Sequence, residues 1–278
     1  MTDKYAVIGN PIAHSKSPQI HQAFAKQTNQ DINYEAVLAP IDGFETTVCK
    51  LIEQGYKGVN VTVPFKFAAL LFVAKTKNGH VNPLADRARA VNIMIFKEDG
   101  CILGDNTDGL GLVNDIAINL KFDITNKKVL LLGSGGAAFG VLQPLVEANP
   151  SLIIISNRTF VKAEEAAKII DTSQSKTVCI AKQFDELGDM EFDLVINSTS
   201  TGLTDTALPI PGSIFAKECL AYEMMYGRET PFMKQAHHQG ATVSDGLGML
   251  VEQAAEAFYL WRNVRPKTAP VIAMLRNL

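Results

Sequence analysis

The sequence predicts an α/β protein of two domains, and three observations carry that expectation. Short apolar, β-prone runs alternate with segments of helical periodicity along most of the chain. A strand-turn-helix signature occupies residues 128–140, and a long amphipathic helix follows the last strands. At 278 residues the chain is long enough for two ordinary domains with buried cores.

The signature at 128–140 organises the second domain. The run Val129 to Leu132 ends in Gly133-Ser134-Gly135-Gly136-Ala137-Ala138, after which helical spacing begins. Gly133 permits a tight turn, Gly135 lets backbone approach a pyrophosphate, and Ala138 keeps helix and strand close. Amides at the helix start then receive the anion. This predicts a Rossmann-like domain, although small residues in such a turn also serve packing alone. The next strand, Leu152 to Ser156, leads into Asn157-Arg158-Thr159, where a dinucleotide lacking a 2′-phosphate would meet an acidic residue. A carboxylate would repel phosphate; Arg158 attracts it and can bond it bidentately, and Thr159 adds a hydroxyl. The reading is NADP over NAD. Its competitor makes Asn157 and Thr159 caps of a helix over 160–170 and Arg158 a solvated charge.

Composition narrows the partners. A net charge of −3 without long basic runs gives no reason to expect nucleic acid or an anionic membrane surface. Cys49, Cys101, Cys179 and Cys219 lack metal-ligand spacing, no export signal is recognisable, and no apolar run reaches a membrane span. A small-molecule ligand, no metal and a reducing cytoplasm are expected.

In chain order, Tyr5 to Gly9 reads as a strand entering the loop Asn10 to Ser17, and Pro18 opens a helix to about Gln27 with Ser17 as its N-cap. Ser15 and Ser17 beside a helix start suit a polyhydroxylated anion; His14 and His21 read as solvated or structural. A strand at 34–38 and a helix at 43–53 precede Gly58 to Lys66, where Val59, Val61 and Val63 alternate with Asn60 and Thr62. Pro64 ends this strand. Lys66 then lies beyond a strand's carboxyl end, at the start of a helix over 66–74, where an ammonium opposes the helix dipole and calls for a reason.

A polar loop over 75–86 leads to a hairpin of Ala90 to Phe96 with Cys101 to Gly104, turning at Asp99-Gly100. Thr107 or Asp108 reads as the N-cap of a helix to about Leu120, and Asn92 as a polar strand residue. A carboxylate facing Lys66 would instead make a proton-transfer pair. Strands follow at 177–180, at 193–197 with a hydroxyl-rich loop Ser198 to Gly202, and at 220–224 before Tyr226. Then come a helix over 231–238 ending in His237 and His238, and a short strand at 241–243. The apolar stripe of Leu247, Leu250, Val251, Ala254 and Phe258 marks an amphipathic helix with Gln253 beside it, and a last helix covers 267–277.

These residues resemble the bacterial shikimate dehydrogenase family over almost the whole chain. The motifs are Ser15-Lys-Ser17-Pro18, Asn60-Val-Thr62-Val-Pro64-Phe-Lys66, Gly104-Asp-Asn-Thr-Asp108-Gly, the Gly133 loop, Asn157-Arg158-Thr159 and Gly246-Leu-Gly-Met-Leu-Val-Glu-Gln253. The resemblance implies NADPH-dependent reversible reduction of 3-dehydroshikimate to shikimate, on the route to chorismate and the aromatic amino acids. It implies a substrate domain over 1–108, to which 245–278 returns, and a Rossmann-like NADP domain over 109–244, the two facing a cleft. Lys66 and Asp108 become the catalytic pair, with Ser15, Ser17, Thr62, Asn92, Tyr226 and Gln253 as substrate contacts. Cofactor contacts fall on Gly133, Ser134, Gly135, Gly136, Ala137, Asn157, Arg158, Thr159, Lys162, Thr199 and Gly246. A homodimer is left open.

The sequence departs from the family pattern in places. Arg89 and Ile93 stand where glycine and threonine are usual, Phe139 and Lys162 where arginines are common, and Glu223 where aspartate is usual. The rival readings are a quinate/shikimate dehydrogenase with relaxed cofactor choice, favoured less by Ser15, Ser17 and Arg158, and an idle NADPH sensor, against which Lys66 and Asp108 both stand.

Overall fold

The computed structural model describes residues 2–277 apart from Asp205 and the side chain of Leu203. The chain divides into two compact units, Met1–Gly111 with Val251–Leu278, and Leu112–Leu250.

The first unit comprises β1 (Asp3–Gly9), α1 (Ser17–Thr28), β2 (Ile32–Leu38), α2 (Phe44–Glu53), β3 (Tyr56–Val61), α3 (Lys66–Lys75), β4 (Gly79–Val81), α4 (Pro83–Ala88), β5 (Ile93–Phe96) and β6 (Ile102–Asp105). Its sheet has the order β2-β1-β3-β5-β6-β4. The first three strands are parallel, while β5 runs antiparallel to β3 and β6. Both faces of β1 are covered: Ala6 and Ile8 pack with Phe44, Val48, Phe65 and Val73, and Tyr5 and Val7 with Tyr34 and Ile12. That is why β1 reads as a continuous apolar run rather than an alternating one.

The second unit contains β7 (Lys128–Leu132), α6 (Gly136–Glu147), β8 (Leu152–Ser156), α7 (Phe160–Lys168), β9 (Val178–Ala181), β10 (Phe192–Asn197), β11 (Phe215–Glu223), α8 (Pro231–His238) and β12 (Thr242–Ser244), after α5 (Asp108–Asn114) has crossed the division at 111/112. Its sheet is parallel throughout, in the order β12-β11-β10-β7-β8-β9. The doubly wound arrangement reverses direction between β7 and β10, the place where such sheets bind ligands outside their carboxyl ends. Leu131, Ile153 and Ile155 face one apolar layer and Leu130, Leu132 and Ile154 the other. The chain ends in α9 (Leu247–Arg262), which crosses the division at 250/251, and α10 (Ala269–Arg276). No described helix is long and apolar enough to cross a membrane.

Several elements differ from expectation. The segment 75–86 is not a loop, for it holds β4 and the start of α4; three residues of strand are too few to show a period of two. The helix after Asp108 changes to a π-helical turn at Asp115–Asn119. Val63 is exposed, because β3 stops at Val61 and the alternation runs past the ladder's end. Ser17 is the first residue of α1 rather than its cap, a place taken by Lys16. His21 is structural: fully buried and stacked on Tyr34, with centroids 4.1 Å apart. Arg89 takes the left-handed conformation at the end of α4, φ 51° and ψ 34°, so the backbone keeps the shape a glycine would adopt there.

Candidate active site

In the first unit the carboxyl ends of β3 and β6 converge on one ion pair. Lys66 opens α3, five residues after β3 ends at Val61, and Asp108 opens α5. Lys66 Nζ donates to Asp108 Oδ2 at 2.5 Å, with side chains 28% and 14% exposed. The carboxylate offsets the adverse placement of an ammonium at a helix start, which is the reason Lys66 called for. Asp108 therefore does more than begin a helix.

A network fixes the carboxylate's other oxygen. Asn92 Nδ2 donates to Asp108 Oδ1 at 2.8 Å, and Asn92 Oδ1 accepts from the Thr107 amide at 2.9 Å. Asn92 lies just ahead of β5, its amide bonded to the Asp105 carbonyl and its carbonyl accepting from Val61. The hairpin register, Asn60 against Ile93 and Ile93 against Asp105, thus brings Lys66, Asn92 and Asp108 together. Asn106 donates to the Ala90 carbonyl and accepts from the Asp108 amide, locking the turn. Thr107 donates to Gln253 Oε1 at 3.4 Å, which joins α9 to the cluster. Thr107 and Asn106 escaped the sequence reading as site residues, because only this register gives them partners.

Below the pair, Tyr34 donates to Asn60 Oδ1 at 2.8 Å, and Asn60 Nδ2 reaches the Asn92 carbonyl. Burial pushes Asp105 up to about 6, against the bond from the Asn106 amide and with a smaller push from Glu256. Ser15 lies in the loop between β1 and α1, Ser17 opens α1, and Thr62 follows the end of β3. The Ser15 hydroxyl accepts from the Ser17 amide at 3.3 Å, and the Thr62 amide donates to Ile8. Tyr226 belongs to the second unit, half-buried beyond β11.

The second unit places the glycine loop at the β7–β10 reversal. Gly133 has φ +106°, and a Cβ there would lie 2.6 Å from Ser198 Oγ, so glycine is required both by the turn and by the close approach. Gly135 caps α6, and Cβ atoms on Gly135 or Gly136 would meet open space; Ala137 is exposed. The hydroxyls of Ser134 and Ser156 are buried without a partner among the described residues. Amides at a helix start, an uncrowded glycine loop and an orphaned hydroxyl within it fit a pyrophosphate.

Arg158 and Lys162 are exposed, and Asn157 donates to the Thr159 carbonyl at 2.9 Å. Thr159 is the N-cap of α7 but makes no side-chain cap bond. An open groove of about 520 Å³ runs beside Arg158, lined in part by Phe160, Phe184 and Ile210. Thr199 donates to Asn197 Oδ1, and the Gly246 amide bonds the Met225 carbonyl at 2.9 Å. No group of three or more His, Cys, Asp or Glu among the described residues could hold a metal ion.

Three family descriptions match the chain in sequence order: "Shikimate dehydrogenase substrate binding domain" over residues 7–94, "Shikimate / quinate 5-dehydrogenase" over 115–204, and "Shikimate 5'-dehydrogenase C-terminal domain" over 246–276. A protein of Methylobacillus flagellatus named shikimate dehydrogenase (NADP(+)) is 58% identical over 275 residues, 99% of each chain. Among solved structures, an Ael1 enzyme from Pseudomonas putida is 42% identical with a TM-score of 0.92, covering 99% of this chain and 98% of that one. Shikimate 5-dehydrogenase from Thermus thermophilus, solved with NADP(H) and shikimate, is 29% identical with a TM-score of 0.85 and covers 99% of both chains. With this coverage and identity, the chain belongs to the shikimate dehydrogenase family.

Proposed function

We propose that the protein catalyses the NADP-dependent, reversible reduction of 3-dehydroshikimate to shikimate. The observation that carries this reading is the Lys66–Asp108 pair, an ammonium held at 2.5 Å by a carboxylate whose second oxygen is itself bonded.

NADPH, when bound, supplies a hydride, and NADP accepts one in the reverse direction. Gly133 to Ala137 would hold its pyrophosphate on the α6 amides, and Arg158, Thr159 and Lys162 its 2′-phosphate, with Asn157, Thr199 and Gly246 framing the rest. As the substrate's carbonyl carbon gains the hydride, its oxygen becomes an alkoxide. Lys66 meets that charge with a donor already in place and delivers a proton to the oxygen. Asp108 holds and aims the ammonium, and in the oxidation direction the pair takes the hydroxyl proton back.

Ser15, Ser17, Thr62, Asn92, Tyr226 and Gln253 would take the substrate's carboxylate and hydroxyls. Polar groups of this kind discriminate strongly, because an analogue missing a hydroxyl leaves one of them unpaired.

A steady-state comparison of shikimate with quinate, each with NADP and with NAD, tests the reading. Shikimate with NADP should give the highest kcat/KM. No reduction of NADP by shikimate, or a preference for quinate with NAD, would overturn it.

A further inference from the structure

The second unit keeps a carboxylate in its interior. Glu223, the last residue of β11, has no solvent exposure. Its Oε2 accepts from Asn197 Nδ2 at 2.7 Å and from the Thr230 hydroxyl at 2.8 Å, and its Oε1 from the Met225 amide at 3.1 Å. Asn197 ends the neighbouring strand β10, in register with Glu223 and equally buried. Its Oδ1 accepts from the Thr199 amide at 3.1 Å and the Thr199 hydroxyl at 2.7 Å, and that hydroxyl lies 2.7 Å from the one on Thr201. A polar chain therefore runs Thr230, Glu223, Asn197, Thr199, Thr201.

Its two ends are the segments that leave the carboxyl ends of β10 and β11. Backbone contacts pin the same segments: the Met224 amide donates to the Asn197 carbonyl at 3.0 Å. A Cβ on Gly202 would lie 2.6 Å from Met225 Sδ and 3.1 Å from Thr230 Cγ2, so the bare glycine lets the segments touch.

The carboxylate and the Thr199 and Met233 amides together set the sense of the bonds in the chain. An ionised carboxylate only accepts, so Asn197 must turn its NH₂ to Glu223 and its oxygen to Thr199. Thr230 accepts from the Met233 amide at the start of α8, which sends its own proton to Glu223. Burial raises the Glu223 pKa, and the bonds from Met225, Thr230 and Asn197 oppose that rise.

With Arg158 past the end of β8 taking the 2′-phosphate of the adenosine half, the other half of a dinucleotide falls across the β7–β10 reversal, at the ends of β10 and β11. We propose that Glu223 is a positioning residue for this nicotinamide end of the cofactor, acting through Asn197 on the Thr199 segment and through Met225 and Thr230 on the Tyr226 segment. This rests on the NADP(H) reading of the second unit.

Three variants test it by kcat, by KM for NADP, by NADPH fluorescence titration and by Tm. Glu223→Gln keeps the shape but must turn an NH₂ toward donors: toward Asn197 and Thr230, which forces Asn197 to rotate against Thr199, or toward the Met225 amide, which loosens the Tyr226 segment. Asn197→Asp sets a second carboxylate against Glu223. The double variant N197D/E223Q restores the alternation with the charge moved one strand over: Asp at 197 accepts from Thr199 and from one amide hydrogen of Gln at 223, the other amide hydrogen turns to Thr230, and the amide oxygen still accepts from Met225.

Each single variant should lower kcat about 10-fold or more, and the double should recover to within about threefold of the parent enzyme, the signature of direct coupling between neighbours. A merely structural role would lower Tm and leave the kcat of the folded enzyme unchanged, and that result overturns the proposal, as does a double variant no better than its worse parent. Should E223Q not fold, N197D is compared with the double: a more active double supports the proposal and equal activities overturn it. An unmodified enzyme that does not turn over shikimate with NADP refutes the underlying reading alone. The variants are then judged by NADPH titration, where the Kd should rise in E223Q and fall back in the double; unchanged Kd values overturn the proposal.

Discussion

Asn92 donates to Asp108 Oδ1 at 2.8 Å while Lys66 holds Oδ2, so the two oxygens of one carboxylate are separately occupied. The asparagine fixes the carboxylate's rotation, and the carboxylate aims the ammonium.

Asn92→Ala should therefore act on chemistry as well as on binding. Removing a hydrogen bond to a charged group costs about 1.5–3 kcal/mol, so kcat/KM for shikimate should fall by about 10- to 150-fold with NADPH affinity unchanged. Asn92→Asp, which sets a second carboxylate against Asp108, should fall further. Steady-state kinetics with an NADPH titration checks both, and an alanine variant within twofold of the parent would remove Asn92 from the site.

Arg158 stands exposed at the carboxyl end of β8 beside an open groove. Arg158→Ala should raise KM for NADP by about 10-fold or more through loss of bidentate bonds to the 2′-phosphate, with little change in the KM for NAD. Equal effects on the two cofactors would contradict the phosphate assignment.

His21 gives a pH dependence of stability with a defined sign. Burial pushes its pKa from 6.5 down to about 3, so between those values the unfolded chain binds a proton that the folded chain does not. Stability is lost as the pH falls through that window. In urea titrations at pH 7 and pH 4.5, His21→Phe should lose less stability between the two than the parent, by about 2 kcal/mol. Parallel losses would mean that His21 does not titrate as its burial requires.

Much of this was legible in the sequence because it is local. The Gly133 turn, the absence of a carboxylate at Asn157-Arg158-Thr159 and the position of Lys66 beyond a strand each follow from a few consecutive residues. The 42-residue step from Lys66 to Asp108 does not, since it depends on the antiparallel register of β5 and β6 beside β3. Thr107 and Asn106 were hidden for the same reason. Glu223 stood out only as an unusual residue; its partners arrive from β10 and from the start of α8, and no spacing in the chain announces them.

The central claim is that Lys66 handles the proton. Turnover of Lys66→Ala, measured beside its NADPH affinity, tests this most directly. The account predicts kcat lowered about 10²–10⁴-fold, the scale of a general acid–base group, with the NADPH Kd within about twofold of the parent. Turnover close to the parent's would contradict it.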